Sequence, residues 1–249
     1  MLKRMLKLVL CLAIVGSTAV NGSLAAGSSA KRVGLAQRRL ANIHIKAQGI
    51  GQFFSRLSLA NDIPIGLEIA ASEEASAIYR IDFQRGTLAQ LLTQFVAEHQ
   101  EYGWEIRNGV VNVFPKEQYR DAVLTQLLAT EISSFSVKKR TNCWALSDAL
   151  AATPEIKSIL DANRMTHSPG YVGGFYIPQL GKNFALTVSR MNLKSILDKV
   201  VKESPVARIW IVKRNSPEEM LLTVSARMEN LPKNWPKGDP FDFATEKLP

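Results

Sequence analysis

Apolar and polar residues alternate through Asn42-Ile43-His44-Ile45-Lys46, which places Ile43 and Ile45 on the buried side of a strand. Phe53, Phe54 and Leu57 follow at helical spacing within residues 49–60. Alternation returns at Ile65, Leu67 and Ile69, and again at Tyr79, Ile81 and Phe83. Leu88, Leu91, Leu92, Phe95 and Val96 form one apolar helical stripe, and Thr87 stands where a helix cap is needed. Two short strands around residues 104–106 and 110–114 flank Asn108-Gly109, a pair that tolerates the positive φ of a tight hairpin turn. The predicted order is β-α-β-β-α-β-β.

Much of this pattern recurs 105 positions later. Ile81, Phe83, Arg85, Leu88, Leu91, Leu92 and Phe95 find counterparts in Leu186, Val188, Arg190, Leu193, Ile196, Leu197 and Val200. The same spacing carries Trp104 and Ile106 onto Ile209 and Ile211, and Glu98 onto Glu203. A shared register from strand through helix to strand is expected of a duplicated structural unit. Before it, Phe135 and Val137 answer Ile43 and Ile45, and Leu146 and Leu150 answer Phe53 and Leu57 with a one-residue slip. The fold class expected is α+β: two tandem small βαββαββ-type units with helices packed on short sheets. Leu88, Leu92, Phe95 and Trp104 are the expected core of the first; Leu193, Leu197, Val200 and Ile209 that of the second.

The N-terminus assigns an address. Lys3, Arg4 and Lys7 precede an apolar run, LVLCLAIVG, and then a small-residue stretch ending Leu24-Ala25-Ala26. This is the layout of a cleaved export signal, and the apolar run is too short to span a bilayer. The chain carries a formal charge of +9, which falls by three to +6 without Lys3, Arg4 and Lys7. That surplus suits anionic surfaces but does not single out nucleic acid, and export argues against it. Beyond Cys11 the only cysteine is Cys143, so the exported chain needs no internal disulfide, as fits a bacterial periplasm. With 46% hydrophobic residues the chain has ample material for a packed core.

The segments NIHIKAQGIGQFFSRLSLANDIPIGLEI and YRIDFQRGTLAQLLTQFVAEHQEYGWEIRNGVVNVFP carry a family likeness. With Arg85-Gly86-Thr87-Leu88 and Tyr102-Gly103-Trp104-Glu105-Ile106 in the expected places, residues 41–116 resemble the secretin and TonB short N-terminal domain. The resemblance implies an extracytoplasmic protein-interaction module associated with a secretin or TonB-dependent system, its partner being a separate envelope protein. On this reading residues 1–26 are a signal peptide, 27–40 a flexible basic arm and 41–116 the first unit. Residues 117–130 are then a connector, 131–228 a divergent second copy and 229–249 an irregular tail.

Candidate chemistry is sparse. His44, His99 and His167 lie far apart and lack a metal-ligand spacing, so no metal or cofactor is expected. Neither a phosphate loop, an HExxH helix nor a GxSxG elbow occurs. Glu73-Glu74 and Glu218-Glu219 read as solvated turn residues, and Arg85 and Arg190 as partners of internal glutamates such as Glu98 and Glu203. No catalytic residue is assigned, and an enzyme is not expected. Partner contact is assigned to Tyr171, Phe175 and Tyr176, aromatics in a glycine-rich loop. Two other readings remain: an envelope hydrolase using Cys143 and His167, and binding of anionic glycan or membrane lipid. The second would use Lys31, Arg32, Arg38, Arg39 and Lys138-Lys139-Arg140.

Overall fold

A computed structural model describes residues 34–74, 76–169 and 180–226 of the chain. The expected signal peptide, most of the basic arm, the loop bearing Tyr171, Phe175 and Tyr176, and the C-terminal tail lie outside the described residues.

The fold is α+β. Among the described residues the first half runs β1 (Arg39–Gln48), α1 (Ile50–Asn61), β2 (Ile65–Glu68), β3 (Ile78–Thr87), α2 (Leu88–Glu98), β4 (Tyr102–Arg107) and β5 (Val110–Pro115). After α3 (Ala122–Ala129) come β6 (Glu131–Val137), α4 (Cys143–Ala151), α5 (Pro154–Ala162), β7 (Thr166–Ser168), β8 (Leu186–Asn192), α6 (Leu193–Glu203), β9 (Ala207–Ser216) and β10 (Glu219–Ala226). β1 pairs antiparallel with β3, and β6 with β8. The other strands form one six-stranded sheet in the order β4-β5-β2-β9-β10-β7.

Local chemistry explains the helix starts. Thr87 Oγ1 accepts from Gln90 N at 3.2 Å, while Gln90 Oε1 accepts from Thr87 N at 2.8 Å, a reciprocal cap at the head of α2. Asn192 caps α6 by accepting from Ser195 N at 2.8 Å. The two helices are each 11 residues long and begin at Leu88 and Leu193. Each is tied in the same way to the residue that leads into its unit's first strand: Leu88 N donates to Arg38 O, just before β1, at 2.9 Å, and Leu193 N to Thr130 O, just before β6, at 3.0 Å. Asn108 and Gly109, with φ of 53° and 81°, turn β4 into β5.

Packing follows the pattern of alternation. α1 and α2 lie between the β1–β3 pair and one face of the six-stranded sheet, where Phe53, Phe54 and Phe95 meet with ring centroids 4.8–5.1 Å apart. On the other face α6 packs against β9, with contacts to β2 and β5, and α3 joins it. The sheet is thus covered on both sides there, so β9 is buried on both faces from Ile209 to Val212. Trp210 and Val212 enter the core beneath α6, whereas Ile209 and Ile211 enter the core of the first half.

Several expectations are corrected. Ile209 does not take Trp104's place. β9 pairs Ala207 with Ala226 but Ile209 with Ser225, so Arg208 is an extra residue, and the strand's phase flips after it. Trp210 therefore faces its own helix and Ile209 the opposite core. Trp104 is half-buried rather than fully enclosed. The last residues of the expected basic arm are ordered: Leu35–Gln37 form a turn of 3-10 helix and Arg39 pairs with Thr87. Leu40 is buried, and hydrophobic burial holds the segment in β1. Arg85 and Arg190 form no ion pair among the described residues. Glu98 accepts from Gln94, and Glu203 is bound by Lys199.

Candidate functional site

The hydrolase reading requires Cys143 and His167 to act together, and the structure separates their roles. Asn142 caps α4 by accepting from Ala145 N at 2.8 Å, which fixes Cys143 at the first helical position. Its thiol is buried, and burial pushes its pKa up to about 12, away from the thiolate that nucleophilic attack needs. His167 sits on β7 with Nε2 3.3 Å from Leu222 O and Nδ1 3.5 Å from Asp148 Oδ1. Cys143 is not among the imidazole's partners. Two outcomes are expected. First, alkylation mapped to Cys143 should be far slower in the native chain at pH 8 than in the urea-unfolded chain; equal rates would show the thiol to be accessible. Second, burial lowers the pKa of His167 despite the Leu222 bond and the nearby Asp148 carboxylate. The unfolded imidazole binds its proton near pH 6.5 and the folded one only below that. The stability contribution is therefore complete above 6.5 and is lost as pH falls toward the folded value. Urea titrations from pH 7.5 to 5 should show this loss, and His167→Gln should flatten it.

A second cluster gathers behind α1. Glu73 Oε2 accepts from Tyr79 OH at 2.6 Å and lies 3.3 Å from Tyr102 OH, while Ala70 N donates to Tyr102 OH at 3.1 Å. Glu73 is thus anchored rather than a freely solvated turn residue. Its Oε1 is buried with no hydrogen-bond partner among the described residues. Burial first, and the Glu73 carboxylate next to it, raise both phenol pKa values above the ordinary tyrosine value, so neither is a phenolate at neutral pH. The adjoining cleft, about 200 Å³, is lined by Gly49, Ile50, Gly51, Ile69, Glu73, Glu74 and Lys213 among others. Among the described residues no histidine, serine or cysteine lines it. Among the described residues no group of three or more His, Cys, Asp or Glu is placed to hold a metal ion.

The remaining feature is the end of the six-stranded sheet. β4 pairs with β5 on one side, from Tyr102 opposite Pro115 to Arg107 opposite Val110, and with no described strand on the other. Such an edge presents unpaired backbone N–H and C=O groups. Trp104 and Ile106 are half-buried along it, packed against the first core, while Glu105 between them is exposed. Sequence alternation located the strand; nothing in the sequence marked it as the sheet's end.

The other predicted contacts disperse over the fold. His44 lies on the exposed face of β1, 2.8 Å from Asp82. His99 ends α2, its ring 4.6 Å from those of Tyr79 and Phe95. Arg38 donates to Asp62 O at 2.9 Å, Arg39 opens β1, and Lys138, Lys139 and Arg140 are exposed in the turn after β6. Lys31 and Arg32 lie outside the described residues, as do Tyr171, Phe175 and Tyr176. No helix among the described residues is long and apolar enough to cross a membrane. Comparison with family models, curated proteins and solved structures finds no match.

Proposed function

We propose that the chain is an exported, non-catalytic protein-interaction module of the bacterial cell envelope, which binds its partner by strand addition on β4. The observation that carries this reading is the β4 edge, which no described strand covers, with half-buried Trp104 and Ile106 beside it. Main-chain hydrogen bonds along such an edge supply affinity, and side chains flanking it supply selectivity. The export layout of the first 26 residues and the likeness of residues 41–116 to the secretin and TonB short N-terminal domain support the location and the role. The association with a secretin or TonB-dependent system belongs to the same reading.

A photocrosslinking residue placed at Glu105, and separately at exposed Lys157 on α5, tests it in living cells. Adducts to an envelope protein are expected from position 105 and not from 157. A chain retained in the cytoplasm, or equal crosslinking from both positions, ends the reading.

A further inference from the structure

The structure holds a worked example of how such an edge is filled. β9 is the first strand of the second hairpin, as β4 is of the first, and its outer side receives β2 in parallel register from Ile65 opposite Ile209 to Glu68 opposite Val212. Trp210 on β9 is flanked by Ile209 and Ile211, both buried in the core that α1 and β2 complete. Trp104 on β4 is flanked instead by Gly103 and Glu105. The face that is apolar at the filled edge is therefore small and acidic at the open one.

Glu105 stands opposite Asn112 on the β4–β5 ladder, on the face turned toward α6. It has no ion-pair partner among the described residues. Its basic neighbour on the same face, Arg107, is engaged by Asp198 at 3.1 Å. On the opposite face Trp104 and Ile106 are packed against the first core but only half-buried. A strand laid beside β4 would thus meet an apolar surface on one face and an unneutralised carboxylate on the other. Opposite charges on neighbouring strands attract and like charges repel.

Resting on the strand-addition reading above, we propose that β4 receives an extended segment of another protein in which aliphatic and basic residues alternate. The aliphatic positions lie against Trp104 and Ile106, and a basic one lies beside Glu105. The same arrangement disfavours a second copy of this chain repeating the β2–β9 joint, because Gly103 and Glu105 cannot supply the contacts that Ile209 and Ile211 make.

The probes are a blocked Val-Lys-Val-Lys-Val peptide and its Val-Glu-Val-Glu-Val counterpart, titrated to millimolar into isotopically labelled chain and followed by backbone amide shifts. Saturable shifts at Gly103, Glu105 and Arg107 are expected with the lysine peptide, and binding at least about fivefold weaker with the glutamate peptide. Glu105→Gln, at an exposed position that leaves the melting temperature unchanged, should remove most of that difference. Equal binding of the two peptides, shifts elsewhere than β4, or an unchanged preference in Glu105→Gln overturns the proposal. So does protection of β4 amides by raising the protein concentration alone, which would make a second copy the occupant. Adducts from position 105 without charge preference would leave strand addition standing and remove only the partner chemistry.

Discussion

Gly66→Ala is expected to lower the unfolding free energy by about 3 kcal/mol, the upper end of what overpacking a core commonly costs. A Cβ at Gly66 would stand 2.3 Å from Trp210 Cζ2 and 2.4 Å from Cε2, far inside van der Waals contact. The indole cannot easily give way. It is completely buried, and its Nε1 donates to Asp198 Oδ1 at 2.9 Å. Gly66 faces Trp210 directly across the parallel β2–β9 ladder, so any retreat pulls apart the joint between the two halves. Urea denaturation measures the loss. Gly51→Ala is the control: its new Cβ would meet Ile69 and Ile211 at an ordinary 3.6–3.7 Å, within a helix that gains from alanine. That variant should match or exceed the parent's stability. Trp210→Phe should cost less in the Gly66→Ala background than alone, a coupling expected only if the two groups collide.

The need for glycine at 66 was not visible in the chain, and the reason is physical. Alternation at Ile65 and Leu67 identifies a strand with one buried side. The other side of Gly66 is buried by a tryptophan 144 positions away, brought there by a pairing that leaves no local trace. Features fixed within about a dozen residues were legible: the Thr87 cap, the Asn108-Gly109 turn, and the helix stripe shared by Leu88–Phe95 and Leu193–Val200. The pairings themselves were not, but they agree with the counterparts read from the chain: Phe135 pairs with Val188 and Val137 with Leu186, as Ile43 does with Phe83 and Ile45 with Ile81. What escaped was the consequence of one inserted residue. Arg208 is held out of register by its ion pair with Asp62 and by bonds to Ser204, Pro205 and Ala207 carbonyls. A one-residue step in a strand exchanges its two faces, so spacing counted through the bulge assigned Ile209 and Ile211 to the wrong core.

Function was less legible than fold for a related reason. The aromatic loop expected to meet a partner lies outside the described residues, while the open β4 edge owes its status to sheet order alone. Glu105 became informative only through comparison with Ile211, which itself required the corrected phase of β9. Helix α5 shows the same limit from another direction. Pro154 at its first position and Ile156 and Leu160 on its buried side are plain once seen, but the repeat offered no counterpart to suggest it.

Asp198→Asn should destabilise the chain by about 3 kcal/mol, the lower end of the cost of breaking a buried ion pair, because Arg107 retains access to water. Asp198 is 3% exposed on α6, while Arg107 on β4 is 38% exposed. One carboxylate oxygen accepts from Trp210 Nε1; the other accepts from Arg107 Nη2 at 3.1 Å and lies 3.5 Å from Asn112 Nδ2. An asparagine amide keeps a single acceptor. If that oxygen serves Trp210, the new NH2 faces the Arg107 and Asn112 donors; if it turns to them, the indole N–H is buried unbonded. Either orientation leaves donors opposed, so the loss should persist at high salt, unlike that of the exposed Lys157–Asp161 pair. Because Asp198 ties α6 to both strands of the β4–β5 hairpin, the variant should also speed amide exchange in β4 more than in β1. Uniform acceleration across the two strands would mean the carboxylate supports the fold without holding the edge. Selective acceleration would make α6 the element that holds the β4 edge in order, as the proposed strand addition requires.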